Sequence, residues 1–286
     1  MLAINPPAPA TAPTRTIVEV VRANAQTHPD KLALVCENTS ISWREFDRRI
    51  NKIANLLLSM GVAKGDNIAI ISPNSIPYAA LFMGILRAGA CVTPLSTMAS
   101  PDALQKMLTD CGAKAIFVAA QYLDLVEGFV TDLDIARFAL DFDHPAFQSF
   151  SAAVEQADVT DPNIAIDMSD AFNLIYSSGT TGTPKGILHN HWMRAAQMDR
   201  VSPNGYDDDA RTLLSTPLYS NTTLVSVLPT LFGGGTIVSM AKFDAHRFLE
   251  LAEQHRVTHA MLVPVQYQRI LAEPDFDRFD LSSFKV

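Results

Sequence analysis

The sequence predicts an α/β protein built from mostly parallel sheets with helices on both faces. Short β-branched runs alternate with helical segments over short connections, the pattern of a parallel sheet. One of those runs, "NIAIIS" at 67–72, is apolar almost throughout, as a strand covered on both faces must be. Hydrophobic residues make up 48% of 286, enough for a sizeable core in one large domain or two ordinary ones.

The elements follow in order. Residues 1–15 are rich in Pro and Ala, lack an apolar signal core, and are expected to form a mobile tail. Residues 17–26 read as a helix. "KLALVCENTSISW" reads as two short strands about a turn at Glu37-Asn38. Phe46, Ile50, Ile53 and Leu57 then recur at helical spacing, with Gly61 just past the end. After the 67–72 strand come a helix at 76–87, a strand in "ACVTPL", a helix at 101–111 and a strand in "AKAIFVA". The stretch 76–95 imitates a membrane span, but Gly84, Arg87, Gly89, Pro94 and the alternating flanks make it a buried helix followed by a buried strand.

Over 121–170 the pattern weakens, and a peripheral segment is expected. "DAFNLIYSS" restores a strand, "ARTLLSTPLYSN" is a strand with a polar exit, and 224–232 is an apolar helix. "GGGTIVSM" is a turn and strand, 243–255 a helix, and "VTHAMLVP" a strand. There is no internal repeat.

A formal charge of −8 argues against a nucleic-acid partner, which needs clustered Lys and Arg. Cys36, Cys91 and Cys111 are widely spaced and form no CxxC pair, so neither a disulfide framework nor a zinc site is indicated, and a reducing cytosol fits.

The chemistry concentrates in "YSSGTTGTPKG", 176–186. Glycine and proline are poor helix formers, and buried hydroxyls would lack partners in a strand. Glycines that expose backbone N–H groups, flanked by hydroxyls, make a concave set of donors for an anion. The strand leading in places it at the carboxyl edge of a sheet, where open α/β folds bind ligands. Lys185 adds a positive point charge, and the whole suits a polyphosphate. It is not the GxxxxGK[ST] loop: counted from Gly179, Pro184 and Gly186 stand where Gly and Ser/Thr are required.

This run resembles the phosphate-loop signature of the adenylate-forming enzymes, which include acyl-CoA synthetases, luciferases and the adenylation domains of peptide synthetases. "GILRAGACVTPLS", "STPLYSN" and "VTHAMLVPVQYQRIL" resemble further blocks of that family, so the likeness covers nearly all of 16–286 and is nearest the acyl-CoA synthetase branch. The resemblance implies a layered αβαβα large domain, present here as an N-terminal portion with regions at about 16–170 and 171–286. It implies activation of a fatty or aryl carboxylic acid by ATP and Mg²⁺ to an acyl-adenylate, then transfer to coenzyme A. By the same resemblance Ser177, Ser178, Gly179, Thr180, Thr181, Gly182, Thr183 and Lys185 hold the phosphates. Lys185 and Thr181 act in catalysis, and Thr181 lies near the metal.

On the acyl side, "PLYSN" resembles a block whose histidine position is Ser220 here. Ser220 reads equally as a gate or as the cap of the next helix. Asn221, Thr222 and Val225 are the acyl-pocket candidates. "HNH" at 189–191 lacks a carboxylate cluster and reads as structural, with His191 opening a helix.

The family's magnesium-binding glutamate block, ribose-binding aspartate, hinge and small C-terminal domain have no counterpart among these residues. The chain is therefore expected to be the first half of the large domain, inactive alone, and prone to self-association as a homo-oligomer through exposed core surface. Two alternatives stay open: a domain that loads a carrier protein, and a non-catalytic nucleotide- or acyl-binding module. A cytoplasmic location is expected, with peripheral attachment to a membrane through a fatty substrate left open.

Overall fold

The structure, a computed structural model, describes residues 13–177 and 185–285. Helix α1 (Ile17–Thr27) opens on a capping box, in which Thr16 Oγ1 accepts from the Glu19 N–H and the Glu19 carboxylate accepts from the Thr16 N–H. Strands β1 (Leu32–Cys36) and β2 (Thr39–Ser42) pair antiparallel about Glu37, whose φ of 50° is the left-handed value such a tight turn demands. The amphipathic α2 (Trp43–Ser59) follows, capped by Ser42. Then come β3 (Asn67–Ile71), α3 (Ile76–Arg87), β4 (Cys91–Pro94), α4 (Pro101–Cys111) and β5 (Ala115–Val118).

A short α5 (Glu127–Val130), β6 (Ala136–Ala139), β7 (Gln148–Ser149) and α6 (Phe150–Gln156) occupy the stretch whose pattern was weak. It lies at the edge of a sheet, where β7 is the outermost strand, yet it contributes to the core. Strand β6 pairs with β5 in parallel, and Phe138 stacks on Phe117 at 4.7 Å between ring centroids in the core. The strand is only four residues long, and half-buried Arg137 interrupts its apolar run, so no period is visible.

The chain continues through β8 (Ala171–Ser177), β9 (Lys185–Asn190), α7 (His191–Val201), β10 (Arg211–Leu214), α8 (Asn221–Gly233) and β11 (Thr236–Ser239). It ends with α9 (Ala245–Gln254), β12 (His259–Ala260) and α10 (Pro264–Leu271). The expected 257–264 strand is thus reduced to two residues, because Pro264 already opens the next helix.

Two sheets result: β12-β10-β11-β1-β2 and β7-β6-β5-β3-β4-β8-β9, parallel except for β2 and β9. The stretches 16–170 and 171–286 do not each own a sheet. Strands β1 and β2 complete the sheet of β10–β12, and β8 and β9 complete the sheet of β3–β7.

Strand alternation sorts side chains into three cores. Ile68 and Ile70 face the central core, shared with α1, α2, α3 and α8, whereas Ala69 and Ile71 face an outer core under α4 and α5. On the other sheet Leu34 and Leu214 face the central core, and Val35 and Leu213 face the outer core under α9 and α10. The layers therefore run helix, sheet, helix, sheet, helix. Among the described residues no helix is long and apolar enough to cross a membrane, and α3 is buried between the sheets.

Candidate functional site

Strand β8 lies beside β4 in parallel and meets β9 in an antiparallel ladder that runs from Ala171↔Asn190 to Ser177↔Lys185. The two exposed residues of that last pair stand at the carboxyl edge of the larger sheet. Ser178, Gly179, Thr180, Thr181, Gly182 and Thr183 join them and lie outside the described residues. Of the predicted phosphate-loop set, the structure brings Ser177 and Lys185 together. Strand β9 was not visible in the sequence, because "KGILHN" opens with a cation and a glycine and closes on polar residues.

The hairpin is anchored sideways. The Tyr176 hydroxyl donates to Asp110 Oδ2 and to the Met107 carbonyl of α4. Gly186 sits opposite Tyr176, where a Cβ would meet Leu174 Cδ1 at 3.0 Å and the tyrosine ring at 3.3 Å.

Asn74, buried just past β3, ties the two carboxyl edges together. Its Nδ2 donates to the Thr216 carbonyl at 2.9 Å, and its Oδ1 accepts from the Leu218 N–H at 2.9 Å. Between the edges opens a cleft of about 280 Å³ whose lining includes Ser72, Thr97, Ser215, Tyr219 and Lys242. Sequence reasoning missed Asn74; the signal was a short polar run, Ser72-Pro73-Asn74, after an apolar strand.

Ser220 occupies the N-cap of α8, and its carbonyl accepts from the Thr223 and Leu224 N–H groups, but its hydroxyl makes no capping bond. Asn221 and Thr222 are exposed and Val225 is half-buried. Leu224, Val227, Leu228 and Leu231 of the same helix line an apolar cavity against Ile76 and Phe82. Asn221, Thr222 and Val225 are not among the residues that line that cavity.

His191 opens α7, is 2% exposed, packs edge-on against Phe172 at 5.0 Å, and leaves Nδ1 without a partner. Burial pushes its imidazole down from 6.5 to about 4, so it is neutral at pH 7. His189, on β9, is lowered too, first by burial and then by the Arg194 charge. Among the described residues no group of three or more His, Cys, Asp or Glu side chains is placed to hold a metal ion.

Residues 21–286 match the family described as AMP-binding enzyme. The long-chain-fatty-acid–CoA ligase FadD13 of Mycobacterium tuberculosis is 26% identical over 269 residues, covering 93% of this chain and 53% of that protein. The 4-coumarate–CoA ligase 2 of Petroselinum crispum is 33% identical over 269 residues, covering 90% and 49%. The inhibitor-bound N-terminal domain of FACL13 from Mycobacterium tuberculosis superposes with a TM-score of 0.86 at 24% identity, covering 95% of this chain and 68% of that one, a likeness of fold. The chain spans about half the length of the curated relatives it matches.

Proposed function

The chain belongs to the AMP-binding enzyme family, and from that premise we propose that the protein containing it is an acid–thiol ligase. A carboxylate oxygen attacks the α-phosphorus of ATP and expels pyrophosphate. The thiol of coenzyme A then attacks the acyl carbon of the adenylate and expels AMP. The observation that carries this reading is the Ser/Thr/Gly run closed by Lys185, held at a sheet's carboxyl edge by the β8–β9 ladder.

A carboxylate is a poor electrophile, and its activation piles negative charge on the phosphates. Preorganised N–H groups, hydroxyls and a cation stabilise that charge best. Ser177, Ser178, Gly179, Thr180, Thr181, Gly182 and Thr183 supply the donors, and Lys185 the charge. Magnesium, when bound, would neutralise the phosphates beside Thr181. The described residues offer it no carboxylate cluster, and no step here runs through it.

Asn221, Thr222 and Val225 form one wall of the acyl site, and their small or apolar character favours a simple carboxylic acid over an amino acid. Ligases for a fatty acid and for coumarate among the relatives support an acid of that class. The exposed Ile187, Leu188, Trp192 and Met193 beside the hairpin support self-association of the isolated 286 residues. We place the reaction in the cytoplasm.

The test is carboxylate-dependent ATP–pyrophosphate exchange by the product of the complete reading frame, across fatty, aryl and amino acids. Exchange with fatty or aryl acids is the expected result; amino acids outrunning all of them would overturn the acid class. Steady acyl-adenylate formation by the isolated 286 residues would contradict their expected inactivity.

A further inference from the structure

Among the described residues two arginines, Arg87 and Arg194, are buried outright, and they are treated differently. Arg87 is 1% exposed and its Nη1 donates to the Asp47 carboxylate at 2.6 Å. Arg194, on α7, is 2% exposed and bonds to neutral amides. Its Nε and Nη2 both donate to Asn173 Oδ1, at 3.0 and 2.8 Å, and its Nη1 donates to Gln197 Oε1 at 3.0 Å and Asn221 Oδ1 at 2.9 Å. Among the described residues no carboxylate pairs with it, and burial alone drives its lowered pKa. A guanidinium stays charged in a protein. Burying an ion costs several kcal/mol, which an opposite charge ordinarily offsets. Amide dipoles and the Phe172 ring, 5.8 Å away, offset it only in part.

The position of this charge matters. On one side it grips β8, the strand that leads to the phosphate loop. On the other, its Nη1 donates to half-buried Gln197 and exposed Asn221. Asn221 is the first residue of α8, whose N-terminus adds partial positive charge and whose cap hydroxyl is unused. Nearby, Asn173 is fully buried with Nδ2 unpartnered. A positive site thus lies one amide layer beneath the surface that carries the acyl candidates.

We propose that Arg194 selects carboxylic acids bearing a second carboxylate distal to the one that is activated. The distal carboxylate displaces the Gln197 and Asn221 oxygens from Nη1 and accepts its N–H groups, so that a charge–charge pair replaces two charge–dipole contacts, while Nε and Nη2 stay on Asn173 Oδ1. This deepens the adenylation reading and rests on it.

The test compares matched pairs, glutarate with pentanoate and pimelate with heptanoate, in ATP–pyrophosphate exchange by the product of the complete reading frame. The expected kcat/KM ratio of diacid to monoacid is about tenfold or more for at least one pair. Arg194→Met should bring that ratio to about one or below. Asn221→Asp, which supplies an internal counter-charge and keeps the packing, should lower it by about tenfold even if the methionine variant does not fold. Monoacids matching or outrunning diacids in the wild type, or a ratio unmoved by Asn221→Asp, would overturn the proposal while the adenylation reading stands. Absence of exchange with every acid would overturn both.

Discussion

Ser177 and Lys185 face each other as the last register pair of the β8–β9 ladder. Both ends of the 178–184 stretch are therefore fixed by strand pairing, with Cα atoms roughly 5 Å apart as in any antiparallel pair.

Lys185→Ala and Thr181→Ala, each in the product of the complete reading frame, are expected to depress ATP–pyrophosphate exchange by about tenfold or more, since loss of one preorganised donor or cation removes stabilisation present only as charge develops. Unchanged exchange in both variants would remove the phosphate assignment.

Tyr176 holds the hairpin to α4 through its hydroxyl, and burial with the neighbouring Asp110 raises that hydroxyl's pKa, so it stays a donor at any ordinary pH. Tyr176→Phe should cost about 1 kcal/mol, read from the guanidinium midpoint at constant m. An unshifted midpoint would mean that the two acceptors on α4 are served equally well by water.

Gly84 lies inside α3, where glycine is normally unfavourable. Its reason is Ile53: a Cβ there would stand 2.5 Å from Ile53 Cγ2 and 3.3 Å from the Ile50 carbonyl. Helices α2 and α3 approach across that gap. Gly84→Ala should destabilise by about 1–3 kcal/mol despite the better helix propensity. A stabilised variant would show that the two helices separate freely.

His191 makes stability depend on acid. Its folded pKa, about 4, lies below the ordinary 6.5. The unfolded chain therefore binds the proton first. Stability from this group is complete above pH 6.5 and falls as pH drops from 6.5 toward 4, by about 3 kcal/mol in all. His191→Gln should flatten the denaturation free energy over that window. A slope identical to that of wild type would assign the acid sensitivity to other groups.

Much of the architecture was legible because it rests on local rules. The spacing of Phe46, Ile50, Ile53 and Leu57 gave α2, and the apolar run at 67–71 gave a strand buried on both faces. The order of glycines, hydroxyls and Lys185 carried the resemblance to the family that residues 21–286 match. Strand β6 was not legible, since four residues containing an arginine carry no period, and its place comes from pairing with β5. Strand β9 was hidden for a related reason: its partner β8 supplies the ladder that its own composition does not announce.

The sequence by itself determined the alternation of strands and helices, the run of glycines and hydroxyls that precedes Lys185, and membership in a family, because these depend on residue type and spacing along one chain. Tertiary structure decided which sheet each strand joins, the clamp that Asn74 makes between two carboxyl edges, and the isolation of Arg194 among amides. Those depend on residues far apart in the chain meeting in space, Asn173 with Arg194 and Asn221 above all, and the free energy of burying a charge is set by what surrounds it.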